Sequence, residues 1–127
     1  MCFIRMKIFD SELQVMEILW QQGRLPASEI AKLLEAEVGW NKNTTYTVIK
    51  KLIAKGAIER QDPKFMCLPL VPKEDIQKQE VIELHNKFFQ GTADLFLSAF
   101  VGSKKLSESE IAKMRKLIDT LDGGDET

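Results

Sequence analysis

The chain has 127 residues, of which 44% are hydrophobic and 29% charged, and its formal net charge at pH 7 is −1. This length and composition predict one folded domain or two small ones and exclude a disordered chain, while the near-zero charge argues against indiscriminate nucleic-acid binding. No apolar run approaches a membrane span, and Met1 to Met6 is too short for a secretory signal.

Two short helices are predicted first. A capping-box pattern formed by Ser11 and Gln14 opens the first, and Gly23 ends it. The second has Pro26 in its first turn and ends near Gly39. We predict Trp20 to be a core anchor and Trp40 to pack against the domain. Apolar residues at helical spacing mark the core face of each helix: Leu13, Met16, Leu19 and Trp20 in the first, and Ile30, Leu33 and Leu34 in the second.

The third predicted helix runs from its cap at Asn41 to Lys55 and stops at Gly56. Its apolar face is formed by Tyr46, Ile49, Leu52 and Ile53. Its other face is polar and basic, and no carboxylate occurs from Val38 to Ile58. That face consists of Asn43, Thr44, Thr45, Thr47, Lys50 and Lys51, with Lys42 and Lys55 at the two ends.

This pattern is typical of a DNA-recognition helix in a helix-turn-helix domain. Short polar side chains near the start of a helix can reach base edges, and lysines can hold the flanking phosphates. We therefore predict that Asn43, Thr44, Thr45 and Thr47 contact bases or the nearby backbone, and that phosphates are bound by Lys42, Lys50 and Lys51.

A β-hairpin is predicted after Gly56, with two extended runs separated by a turn at Asp62, Pro63 and Lys64. Pro69 lacks an amide donor and indicates an edge or the end of a strand. A hairpin directly after a recognition helix is the wing of a winged helix, where Arg60 and Lys64 are placed to touch phosphate or the minor groove. A solvated hairpin tip is the alternative for these two. Cys67 is interpreted as a small apolar strand residue.

Three further helices are predicted from Lys73 to Gln90, from Thr92 to Val101 and from a capping box at Ser107 to about Leu121. Three short helices cannot surround so many large apolar side chains, so we predict that they pair with a second copy of the chain. Packing on the N-terminal domain is the alternative. The predicted dimerisation residues are Val81, Leu84, Phe88, Phe89, Phe96, Phe100, Ile111, Met114, Leu117 and Ile118.

The predicted fold is mainly α (α+β), with an N-terminal winged helix-turn-helix and a three-helix C-terminal dimerisation region. The expected divisions are residues 1–71 for the DNA-binding domain, 72–122 for the helical domain and 123–127 for a flexible tail.

Catalytic chemistry is not expected. The single histidine, His85, has helical spacing to Val81 and Phe88 and is interpreted as a core or interface residue. Cys2 and Cys67 have no spacing typical of a metal site or disulfide framework, which favours a reducing cytoplasm. No phosphate-binding loop or nucleophile set occurs, so no enzyme activity, cofactor or metal is expected. Met6 is an alternative start to Met1.

The chain resembles the penicillinase and methicillin-resistance repressors (BlaI/MecI-type) and their copper-operon relatives, from about Phe9 to Leu121. The fragments that carry the resemblance are Ser11 to Trp20, Trp40 with Thr44 to Leu52, Lys55-Gly56, and Phe100-Val101 with Leu106-Ser107.

The resemblance implies a cytoplasmic bacterial repressor, connected with antibiotic resistance, whose homodimer binds a palindromic double-stranded DNA operator. It also implies induction through a membrane sensor protease and cleavage at the bond that corresponds to Ala99–Phe100, where the family has asparagine in place of Ala99. The copper branch has a cysteine-rich C-terminal motif. Residues from Asp119 to Thr127 contain no Cys or His, so copper sensing is not expected.

Two alternatives stay open from the sequence. A winged helix can serve protein–protein interaction, in which case the basic face is incidental. A DNA-binding regulator can also be induced by a small ligand held between the C-terminal helices near His85.

Overall fold

A computed structural model describes residues 6–90, 92–103 and 105–124. Six helices and one three-stranded sheet occur within these ranges, so the predicted mainly helical α+β fold is confirmed. The elements are α1 (Asp10–Gln22), β1 (Leu25–Pro26), α2 (Ala27–Val38), α3 (Lys42–Ala54), β2 (Ile58–Gln61), β3 (Met66–Pro69), α4 (Lys73–Phe89), α5 (Ala93–Ser103) and α6 (Glu108–Gly124). Met1, Cys2 and residues 125–127 lie outside the described residues.

The chain divides into two compact units between Val81 and Ile82. The first unit therefore extends beyond the expected division at residue 71, because the first turns of α4 belong to it. Ile76 and Gln79 are both 5% exposed. The Gln79 side chain binds the Met6 backbone twice, since its Oε1 accepts from the Met6 amide at 3.2 Å and its Nε2 donates to the Met6 carbonyl.

The ends of α3 follow the sequence signals, but the predicted starts of α1 and α2 and the predicted end of α5 do not. Pro26, predicted in the first turn of α2, is its N-cap, and α5 continues to Ser103 instead of ending at Val101. Asn41 caps α3, its Oδ1 accepting from the Thr44 amide at 2.8 Å, and α3 is followed by Gly56 with φ +88°. For α1 the predicted Ser11 cap is wrong. That helix begins one residue earlier, at Asp10, after the N-cap Phe9. The Glu12 carboxylate accepts from the Phe9 amide at 2.9 Å and satisfies a donor that the helix leaves unpaired.

The core of the first unit forms where α1, α2 and α3 meet the sheet. Its fully buried side chains include Val15, Met16, Leu19, Ile30, Leu34, Ile49, Leu52 and Ile58. Trp20 and Trp40 pack against this cluster as predicted, and the Trp20 indole donates to the Val71 carbonyl at 2.8 Å. Cys67 is buried, as its strand position predicted, and burial raises the pKa of its thiol to about 11.

The predicted hairpin is present, and a short third strand joins it. β3 lies between β1 and β2, antiparallel to both. Pro69 ends β3, as its missing amide indicated. The carbonyl of Phe65, in the hairpin turn, accepts from the Ala27 amide at 2.9 Å, so the wing is bound to the start of α2.

The second unit contains the end of α4 together with α5 and α6. The Phe96 ring meets His85 and Phe89 edge to face, with centroids 5.6 and 5.4 Å apart. The predicted capping box at Ser107 and Glu110 is present, with both reciprocal bonds formed. α6 continues to Gly124, two residues into the segment predicted as a tail. No helix within the described ranges combines the length and apolar character needed to cross a bilayer.

Candidate nucleic-acid interface

Helix α3 packs on both α1 and α2 and exposes the opposite face. Its buried side chains are Thr45, Val48, Ile49 and Leu52. Six of the seven residues predicted from this helix for DNA contact are exposed: Lys42, Asn43, Thr44, Thr47, Lys50 and Lys51. Among the described residues, the three lysines of this set form no ion pair with a carboxylate. The exposed face is therefore cationic and open to an anionic partner.

A shallow groove of about 400 Å³ follows this face, and its lining includes five α3 residues, among them Thr44, Thr47 and Lys51. Ser11, on the first turn of α1, lines the same groove. Sequence reasoning missed Ser11 because it treated α1 as a core helix. The start of a helix exposes unpaired amides and the positive end of the helix dipole, which attract anions such as phosphate. The predicted start of α1 near Ser11 could therefore have suggested that Ser11 lies at the interface.

Thr45 corrects the predicted site. Its side chain is fully buried, so it does not belong to the exposed face and cannot touch a base. The reason is geometric: Thr45, Ile49 and Leu52 stand at i, i+4 and i+7, which is the inward stripe of the helix. Its hydroxyl has no hydrogen-bond partner among the described residues.

We expect Thr45→Val to raise the free energy of unfolding by about 1 kcal/mol, because valine has nearly the same shape and removes an unpaired buried hydroxyl. Duplex preference should not change. Thr44→Val is the matched control: Thr44 is exposed, so this variant should weaken duplex binding without a gain in stability. Chemical denaturation measures the stability of both variants, and gel shifts measure their duplex binding. A loss of stability in Thr45→Val would show that the Thr45 hydroxyl makes a stabilising hydrogen bond.

Lys55 also faces inward. Its Nζ donates to Glu12 Oε1 at 2.6 Å and to the Lys7 carbonyl at 2.7 Å, and it lies 4.9 Å from the centroid of the Phe9 ring. The prediction that Lys55 ends the polar face is therefore wrong. The residue connects the end of α3 to the start of α1 and fixes how α3 is presented.

The two predicted wing residues are exposed, but their surroundings differ. Lys64, in the turn, forms no ion pair with any described carboxylate. Arg60, on β2, donates from Nε to Asp62 Oδ1 at 3.0 Å. Its guanidinium carbon lies 3.7 Å from the centroid of the Phe65 ring. Arg60 thus contacts two neighbouring side chains, whereas Lys64 makes no such contact with the described residues.

The residues predicted for dimerisation leave much apolar surface uncovered. Phe88 is 64% exposed and Leu117 is 66% exposed. Met114, Phe89 and Phe96 are half-buried. The other members of the set are all exposed: Val81, Leu84, Phe100, Ile111 and Ile118.

No described group of His, Cys, Asp and Glu is arranged to hold a metal ion. His85 is half-buried, and its Nε2 atom has no partner among the described residues. A cleft of about 300 Å³ in the second unit is lined almost wholly by apolar side chains, with Ser103 as its one hydroxyl: Leu84, Phe89, Phe96, Ala99, Phe100 and Ser103.

Comparison with known proteins gives a consistent picture. The model of a family described as "Penicillinase repressor" matches residues 8–120. The penicillinase repressor of Bacillus licheniformis is 26% identical over 115 residues, covering 89% of this chain and 90% of that protein. The methicillin resistance regulatory protein MecI of Staphylococcus aureus strain N315 is 30% identical over 115 residues, covering 89% and 94% respectively.

A solved structure is also similar. The solution structure of the DNA-binding domain of the repressor BlaI is 29% identical and superposes with a TM-score of 0.50. The match covers 56% of this chain and 93% of that domain. The winged helix-turn-helix predicted for the N-terminal half is confirmed by this likeness.

Proposed function

The chain belongs to the penicillinase repressor family, and on that premise we propose that it is a sequence-specific DNA-binding transcriptional repressor of the bacterial cytoplasm. The observation that carries the proposal is the exposed face of α3, which contains no carboxylate and has short polar side chains at its start. Its three lysines form no ion pair with any carboxylate that the structure describes. Such a face fits the major groove, with Asn43, Thr44 and Thr47 toward base edges.

Repression acts by occlusion in this proposal, and it needs two copies of the chain. Each half-site of a palindromic operator takes one α3, and the half-sites lie about one helical turn apart. The exposed apolar side chains of α4, α5 and α6 are the surface that a second copy covers. Burying one large apolar side chain is worth about 1.5–3 kcal/mol, so a few of them outweigh a modest association cost.

Selection from a random pool of DNA duplexes, with the purified protein as bait, tests the proposal. We expect a palindrome with two half-sites and a complex whose dissociation constant rises steeply with salt. Recovery of no duplex would overturn the proposal and favour a protein-interaction module.

Lys51→Ala should weaken binding to all duplexes alike, because phosphate contacts carry no sequence information. The slope of log K against log salt should become shallower by about 1 for each phosphate that the lysine no longer neutralises. Lys78→Ala is the control, since Lys78 is an exposed lysine on α4 whose removal should leave the slope unchanged. An unchanged slope in Lys51→Ala would remove this residue from the interface.

Induction by proteolysis is part of the proposal. The Ala99–Phe100 bond lies inside α5, so a protease would cut it in molecules where this helix has locally unwound. Incubation with the sensor protease, followed by mass spectrometry, should show a break at this bond. An intact chain that still leaves DNA on addition of a small molecule would favour ligand induction.

A further inference from the structure

Two cations and two aromatic rings connect α3 to the wing in a cation–aromatic row formed by Lys42, Tyr46, Phe65 and Arg60. Lys42 Nζ lies 5.8 Å from the centroid of the Tyr46 ring. The Tyr46 and Phe65 rings meet edge to face, with centroids 5.7 Å apart and planes at 81°. The Arg60 guanidinium then lies over Phe65, with Cζ 3.7 Å from the ring centroid. Both ends of the row are cations predicted to bind phosphate.

Phe65 occupies a backbone conformation that rarely holds a bulky residue. Its φ is +51°, in the left-handed region where glycine or asparagine is usual. A strained position that keeps a large side chain points to a use for that side chain. The ring supplies the two contacts that a glycine could not, to Tyr46 and to Arg60. Both contacts are of kinds that are favourable in proteins.

Asp62 lies beside the same guanidinium. It accepts from Arg60 Nε at 3.0 Å, while both side chains stay about half exposed. A guanidinium has five N–H donors, so the bond to Asp62 leaves its other donors available for a phosphate. The carboxylate nevertheless offsets part of the positive charge that Arg60 presents. An exposed ion pair of this kind contributes little to stability, so stability alone does not account for the placement of Asp62.

We propose that Phe65 is a positioning residue whose ring packs on Tyr46 of α3 and holds the Arg60 guanidinium over its other contact surface, and that Asp62 attenuates the charge that Arg60 offers to a DNA phosphate. The inference rests on the proposed DNA-binding function and deepens it. In this proposal the affinity of the wing for a DNA phosphate depends on the Asp62 carboxylate, which does not itself contact the duplex.

The test of Asp62 compares two variants that each remove one negative charge from the wing. Asp62→Asn removes the negative charge beside Arg60, whereas Glu59→Gln neutralises an exposed neighbour on β2 that pairs with no described cation. On the selected duplex, Asp62→Asn should bind about fivefold tighter and steepen the salt slope by up to about 1 per subunit. Glu59→Gln should change affinity less than about twofold. In an Arg60→Gln background, the gain from Asp62→Asn should fall to the level of Glu59→Gln.

The test of Phe65 uses coupling with Arg60. Phe65→Leu should weaken binding, and adding Arg60→Gln to it should cost less than Arg60→Gln does alone, because the two residues act together. Phe65→Tyr keeps the ring and should bind like the unaltered protein. Additive effects in the double variant, with no rescue by tyrosine, would make Phe65 a packing residue only and overturn its positioning role.

The outcomes separate this inference from the function beneath it. If the unaltered protein binds no duplex, the proposed function fails. If it binds, and Lys51→Ala lowers the salt slope, but Asp62→Asn and Glu59→Gln behave alike, the function stands and the attenuation by Asp62 fails.

Discussion

Replacing Phe88 and Leu117 together by glutamine is expected to make the protein a monomer at micromolar concentration and to weaken operator binding by about 100-fold or more. Both side chains are about two-thirds exposed, on α4 and α6. Glutamine is a good helix former, so the helices should persist while the apolar surface is removed. Two linked half-site interactions then become two independent ones, and the affinity gained from linkage disappears.

The matched control makes the same chemical change in the first unit. Val38 and Leu70 are exposed apolar residues there, at 42% and 50%. Their joint replacement by glutamine should leave both the proposed dimer and operator binding intact. Analytical ultracentrifugation and gel shifts measure the two properties. If the Phe88→Gln/Leu117→Gln protein stays dimeric, these two side chains do not lie in the dimer interface, and the proposed interface is wrong.

Lys55→Met is expected to lower the free energy of unfolding of the winged domain by about 2–3 kcal/mol, because it leaves the Glu12 carboxylate buried without its cation. The Glu12 side chain is 5% exposed and the Lys55 side chain 25% exposed. The lysine is not fully buried, so the effect should lie below that of a completely enclosed pair. Thermal or urea unfolding measures the decrease.

Lys32→Met is the control for this change. Lys32 pairs with Glu29 at 3.5 Å on the surface of α2, with side chains 74% and 50% exposed, and its replacement should change stability by less than about 0.5 kcal/mol. Combining Glu12→Gln with Lys55→Met should recover part of the stability, since the isolated charge is then gone. Equal effects of Lys55→Met and Lys32→Met would mean that the pair behaves as a solvated one.

The sequence predicted those element boundaries that are set by contacts between neighbouring side chains and the backbone. The Asn41 cap, the glycine after α3, the capping box at Ser107 and the turn between the two wing strands all depend on contacts among residues a few positions apart. Local signals of this kind hold where no other contact competes with them. At the start of α1, Glu12 accepts from the Phe9 amide and the signal at Ser11 fails.

Two errors in the candidate site have one cause. Residue type alone assigns Thr45 and Lys55 to the polar face. Thr45 instead lies on the inward stripe of α3, and Lys55, the C-cap residue that follows α3, contacts Glu12. Thr45 leads the stripe of Ile49 and Leu52, and Lys55 stands three residues after Leu52. Burying a polar side chain costs free energy unless it finds a hydrogen-bond or ion-pair partner. Lys55 has the partner Glu12, which lies 43 positions away and could not be foreseen.

Other features depended on distant pairing. β1 has only two residues, and it exists because Leu25 and Pro26 pair with Cys67 and Met66. Gln79, near the start of α4, binds Met6 across 73 positions, and Ile76 of the same helix is buried in the core of the first unit. Neither pairing leaves a periodic signal in the sequence, so neither could be predicted from it.

The sheet also bears on how the protein avoids unwanted association. Its two edges are β1, which is two residues long and contains a proline that cannot donate, and β2, whose last three residues are polar and exposed. Short, proline-containing or charged edges are poor templates for another strand. Neighbouring molecules should therefore resist joining strand to strand, and fibre formation should stay suppressed even in concentrated solution.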